Sequence, residues 1–131
     1  MTNTEIAQLN PQVLAFIGDG VYTLYIREKM LELPKNKSNV LHTYTNKYVS
    51  AVGQSVSMQK VKPILDEEEL SVFMRARNYK TASIAKHSTL AEYKRATGLE
   101  AIIGYLYLTK RKERLEQIMA LCKEAIDESR G

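Results

Sequence analysis

Apolar residues recur at intervals of three and four over most of the chain, with no sustained strand-like alternation. Asn10-Pro11 supplies an N-cap and a proline at the first helical position. Val13, Leu14, Phe16, Ile17, Val21, Leu24, Tyr25 and Met30 then predict a helix to about Leu33, with Thr4 to Asn10 as a short lead-in. Pro34-Lys35-Asn36-Lys37 breaks the pattern, and Ser38 or Asn39 caps a second helix. That helix carries Leu41, Tyr44, Tyr48, Val49, Val52, Val56 and Met58 towards a stop or kink at Pro63. Asp66 with Glu69 makes a capping pair for a third helix, whose stripe is Leu70, Val72, Phe73 and Met74. Periodicity lapses from Arg77 to Ser88 and resumes after Ser88 or Thr89, through Tyr93, Ala96, Leu99, Ile102, Ile103, Leu106 and Leu108. Beyond Thr109-Lys110-Arg111-Lys112 lies a last amphipathic helix with Leu115, Ile118, Met119, Leu121, Cys122 and Ile126. The expected fold is all-α, without internal repeats, in a single domain spanning 1–131.

Two acids interrupt this apolar patterning. Asp19 stands in Phe16-Ile17-Gly18-Asp19-Gly20-Val21-Tyr22, and Glu100 in Leu99-Glu100-Ala101-Ile102-Ile103-Gly104-Tyr105-Leu106. A carboxylate among core residues is costly to desolvate unless a cation meets it, and neither segment contains an Arg or Lys. A glycine near each acid would let the two helices cross closely and aim both carboxylates at one divalent ion. Mg²⁺ accepts such a pair when waters and substrate phosphates complete its octahedron. The spacing alone leaves the plainer reading open, in which each acid is solvent-exposed or bonded to a neighbouring helix.

Composition narrows the class. With 44% hydrophobic and 26% charged residues, 6 Gly and 3 Pro, the chain reads as an ordinary globular protein. The single Cys122 excludes an internal disulfide and a Cys-based zinc site, and its apolar setting suggests a buried structural thiol. No leader-like segment and no apolar run of about 20 residues is evident, so no membrane association and a cytoplasmic location are expected. The net charge of +4 is unevenly spread: residues 75–95 hold six cations against one acid, Glu92. A local basic surface on an otherwise balanced chain suits a polyanion, with nucleic acid the first candidate. Cations at a helix C-terminus are the competing explanation for Arg75 and Arg77.

The motifs around the acids resemble the ribonuclease III family. Phe16-Ile17-Gly18-Asp19-Gly20-Val21 resembles its Phe-Leu-Gly-Asp-Ser-Val signature helix, and Leu99-Glu100-Ala101-Ile102-Ile103-Gly104 its Phe-Glu-Ala-x-x-Gly helix. Asn39-Val40-Leu41-His42, Lys47-Tyr48-Val49-Ser50-Ala51 and Arg75-Ala76-Arg77-Asn78-Tyr79-Lys80 bring the resemblance closest to the Mini-ribonuclease III branch, which lacks a double-stranded-RNA-binding domain. The match runs in order over about residues 9–120.

That resemblance implies a ribonuclease III endonuclease-domain-like fold and a homodimer that cuts double-stranded RNA with Mg²⁺, with Mn²⁺ as a substitute. It assigns Asp19 and Glu100 as the catalytic, metal-binding acids, with cleavage leaving a 5′-phosphate and a 3′-hydroxyl. Maturation of precursor large-subunit ribosomal RNA is the implied task. Two further acids of the full-length enzymes would fall at Ala15 and Thr97, and another near Ala51 or Val52, so this chain's site is reduced. Ala76 replaces the glycine of the usual Arg-Gly-Arg-Asn, and Val52 stands where a lysine is common.

Duplex RNA is recognised through phosphates and 2′-hydroxyls, which Arg75, Arg77, Asn78, Lys80, Lys86 and His87 could contact. His42 and Lys47 are further RNA-binding candidates: His42 reads first as a packed or surface histidine and enters through its place in the family's Leu-His motif, while Lys47 is equally readable as a solvated helix residue. The tyrosines sit in apolar patterns and suit packing rather than base stacking, and Lys110 to Arg114 reads as a solvated charged face. The rival to the nuclease is a catalytically inactive double-stranded-RNA-binding helical dimer; a helical protein adaptor without RNA affinity is a third reading.

Overall fold

A computed structural model describes residues 1–33, 37–80 and 88–129. These form seven α-helices: α1 (Asn3–Ala7), α2 (Pro11–Lys29), α3 (Ser38–Val49), α4 (Ala51–Val61), α5 (Glu67–Arg77), α6 (Leu90–Leu108) and α7 (Lys112–Ser129). Short 3₁₀ turns, Met30–Glu32 and Lys62–Ile64, follow α2 and α4. No strand occurs among the described residues, and the fold is all-α as the periodicity predicts.

The sequence-level caps explain most helix starts. Asn10 Oδ1 accepts the Gln12 N–H at 2.8 Å, and Pro11 occupies the first turn of α2. Asp66–Glu69 and Thr89–Glu92 form reciprocal capping boxes at α5 and α6. The expected lead-in contains another, Thr2–Glu5, which closes the single turn of α1. The first long helix ends at Lys29 rather than near Leu33, and a 3₁₀ turn finishes the segment. Neither Ser38 nor Asn39 caps α3; the N-cap is Lys37, without a side-chain cap bond.

The second predicted helix is in fact two. At Ser50 the backbone turns extended, and Ser50 Oγ accepts the Gly53 N–H at 3.1 Å. Serine competes with the helix ladder in this way, which a pattern of apolar positions does not register.

α6 is the central helix. Ala101, Ile102, Ile103, Gly104, Tyr105 and Leu106 are all buried in succession, so apolar residues cover every side of this stretch. α2, α4, α5 and α7 pack around it, contributing Leu14, Tyr22, Ile26, Val61, Phe73 and Ile118 to the core. Cys122 is buried, as its setting suggests. Tyr22, Tyr48 and Tyr105 are also buried, whereas Tyr107 is exposed.

Arg114 corrects the reading of Lys110 to Arg114 as a merely solvated face. Its guanidinium grips the fully buried Glu69 carboxylate through Nε at 2.8 Å and Nη2 at 2.6 Å, and also donates to the Ile64 carbonyl. Charge in the sequence gives no sign of this clamp, because its two partners lie 45 positions apart.

Candidate functional site

α2 and α6 cross at two glycines. A Cβ on Gly18 would collide with the Glu100 carbonyl oxygen, and one on Gly104 with the Leu14 carbonyl oxygen. The backbones therefore touch, an approach that only a residue without a side chain permits. Asp19 follows Gly18, and Glu100 lies one turn before Gly104, so the crossing brings the acids together. Their carboxyl groups are within hydrogen-bonding reach of each other.

The pair has an uneven environment: Asp19 is exposed and Glu100 half-buried. Burial, and then the charge of Asp19, push the Glu100 carboxyl up to about 8. A hydrogen bond from Gln54 Nε2 to Glu100 Oε2, at 3.2 Å, acts in the opposite direction. Among the described residues no Arg or Lys forms an ion pair with either acid. The electrostatic problem posed by the sequence thus persists among the described residues, where neither of the two neighbouring acids is ion-paired.

Both acids open onto a cleft of about 210 Å³. Gln12, Ala15 and Phe16 line it from α2, and Tyr93, Lys94 and Thr97 from α6. Ala76 and Tyr79 close it from the end of α5. Thr97 donates its hydroxyl to the Tyr93 carbonyl at 3.0 Å. Among the described residues no group of three or more His, Cys, Asp or Glu side chains is arranged to hold a metal ion. The two oxygen donors suit a hard divalent cation that keeps much of its water shell, and its charge would relieve their repulsion.

The basic end of α5 adjoins this cleft. Arg75 holds it to the α1–α2 junction by donating to the carbonyls of Ala7 and Leu9, and Asn10 Nδ2 donates to the Tyr79 hydroxyl at 3.3 Å. Arg75 is consequently half-buried and bonded to backbone, while Arg77, Asn78 and Lys80 are exposed. Ala76 is buried within helical α5, so the backbone here needs no glycine-specific turn. Lys86 and His87 lie outside the described residues. His42 and Lys47 do not line the acid cleft. His42 borders a separate depression with Arg27 and Ser38, and the Lys47 ammonium sits 4.7 Å from the centre of the Tyr44 ring.

A family profile described as the Ribonuclease III domain matches residues 12–111, which include both acids and the crossing glycines. The chain belongs to the ribonuclease III family. Its relatives place it in the Mini-ribonuclease 3 branch. The Clostridium tetani Mini-ribonuclease 3 is 44% identical over 98% of this chain and 85% of the relative. That of Enterococcus faecalis is 41% identical over 93% of this chain and 94% of the relative. A crystal structure of a Fusobacterium nucleatum protein superposes with a TM-score of 0.80 at 37% identity, covering 89% and 93% of the two chains. Membership in the ribonuclease III family makes this chain an endoribonuclease of a class that generally uses divalent metal ions.

Sequence reasoning missed Gln54, Lys94 and the tyrosines of the cleft. Gln54 gave a weaker signal than Asp19, because it is uncharged and stands between Gly53 and Ser55. Lys94 lies three residues before Thr97, which itself lies three before Glu100, a spacing that follows one side of a helix.

Proposed function

We propose that the chain is a Mg²⁺-dependent endonuclease that cuts double-stranded RNA as a homodimer. The observation that carries this reading is the pair Asp19 and Glu100, brought to one cleft by the glycine crossing with no ion-pair partner among the described residues. Asp19 and Glu100 would hold the ion, with Mn²⁺ an acceptable substitute. Once bound, Mg²⁺ supplies Lewis acidity and water activation for phosphodiester hydrolysis.

The chain's own residues bind and orient the duplex. Arg77, Asn78 and Lys80 offer charged and amide donors to phosphates and 2′-hydroxyls beside the cleft. Arg75 supports that surface by fixing the end of α5, with charge left to attract the backbone. Lys94, facing the acids without an ion-pair partner among the described residues, adds positive potential within the cleft. His42 and Lys47, on α3, would meet RNA outside the cleft, and Lys86 extends the basic segment. Precursor large-subunit ribosomal RNA in the cytoplasm is the substrate we favour, and one domain covering 1–131 would supply the catalytic unit.

An outward-facing apolar stripe on α2 supports the dimer. Val13, Phe16 and Leu24 are 47%, 77% and 60% exposed, beside a groove of about 850 Å³ floored by Ile17, Val21, Leu115 and Met119. An apolar stripe of this kind marks an interaction surface. A second copy would bring two equivalent sites to the duplex, one for each strand. Gly18 is not free for this interface, because it is consumed by the crossing within the chain. Gly20 borders the groove and has open space where a Cβ would be.

The test is cleavage of a long RNA duplex with Mg²⁺, alongside EDTA and Glu100→Gln controls. Cutting only by the wild type with Mg²⁺ is expected. Binding without cutting would instead make the chain an inactive duplex-binding dimer, and neither would reject RNA as its ligand.

A further inference from the structure

Gln54 has properties that a core position alone does not explain. It is 1% exposed, yet its Oε1 has no hydrogen-bond partner among the described residues. A methionine would fill similar space without an orphaned oxygen, so this position uses the amide's donors. Both are engaged: Nε2 donates to the Val49 carbonyl at 2.9 Å and to Glu100 Oε2 at 3.2 Å. The amide cannot be flipped, since that would set its oxygen against another carbonyl and a carboxylate.

The Val49 carbonyl is available because of the break at Ser50. In a continuous helix it would accept the Gly53 N–H, four residues on. Here Ser50 Oγ takes that N–H, and the Gln54 amide takes the carbonyl. The helix break and the acid thus share one side chain. Resting on the proposed two-acid site, we infer that Gln54 is a positioning residue, anchored on the α3–α4 break, which orients the Glu100 carboxylate for a divalent ion.

Gln54→Met keeps the volume and removes both donors. The expected result is a folded protein whose Mn²⁺ affinity, titrated without RNA, falls by about 10–100-fold. In Mg²⁺ its kcat, expressed per folded molecule, should fall while KM for duplex RNA holds, a change that a smaller folded fraction would not produce. Wild-type Mn²⁺ affinity and kcat in this variant would overturn the inference, whatever the change in melting temperature. If the variant does not fold, Mg²⁺ titration of the wild type decides through the Gln54 side-chain amide resonances. They should shift, and stay still in Glu100→Gln; no shift in the wild type would overturn the inference. A wild type that neither binds Mn²⁺ nor cuts RNA would overturn the two-acid reading and the role of Gln54 with it.

Discussion

Gly18 and Gly104 decide where the acids meet, and each does so by lacking a single carbon. Their neighbours at the crossing are backbone atoms, which cannot rotate aside as a side chain would. Gly104→Ala should therefore cost about 3 kcal/mol or more, the upper part of the usual overpacking range, measurable by urea unfolding. A loss below about 1 kcal/mol would mean that the helices separate easily. Asp19 and Glu100 were legible because a carboxylate in an apolar pattern demands an explanation, and the adjacent glycines suggested one. Gln54 was less legible: an uncharged amide in a helical segment raises no comparable alarm, and its partner lies 46 positions away. Arg75 shows what a count of charges omits, since composition registers its cation but not the backbone carbonyls that hold it.

Helices were easiest to locate where a side chain caps them locally. Asn10, the Asp66–Glu69 pair and Thr89 set their starts as expected, while Ser50 acted within a span that apolar spacing reads as continuous. Contacts between helices were largely illegible, and the α5–α7 clamp is the clearest case. Glu69 caps its own helix and also receives the Arg114 fork. Burial by itself would raise the Glu69 carboxyl, but Arg114 and the Asp66 N–H outweigh it and hold it below the ordinary value. A lowered folded-state pKa contributes stability that is complete above the unfolded value, about 4.3, and is lost as pH falls through the folded value. Unfolding free energy measured from pH 5 downward should fall in the wild type, and Glu69→Gln should lack that part of the slope. At pH 7 the same variant should be less stable by about 3 kcal/mol, because Arg114 loses its buried partner. An unchanged acid slope would assign the stabilising contact elsewhere.

The molecule has a central helix, buried on every side from Ala101 to Leu106, and a second helix, α2, with three uses. One side of α2 packs on α6, another carries Asp19 into the cleft, and a third presents Leu24 outward together with Phe16, which also borders the cleft. The helical pattern identified this helix without dividing its apolar residues between core and dimer face, because one sequence cannot say which apolar face a second copy covers. Phe16→Glu, on the proposed dimer face, should yield a smaller species by light scattering without loss of helical content. A dimer that survives it would move the interface off this face. The central claim is that Asp19 and Glu100 act as one catalytic unit, and duplex-RNA cleavage by Asp19→Asn, Glu100→Gln and the double variant tests it most directly. Each single variant should lose at least about 10³-fold in rate and the double should be little worse, since residues acting together are not additive. Mg²⁺-dependent cutting retained by either single variant, in protein that is still folded, would contradict the account.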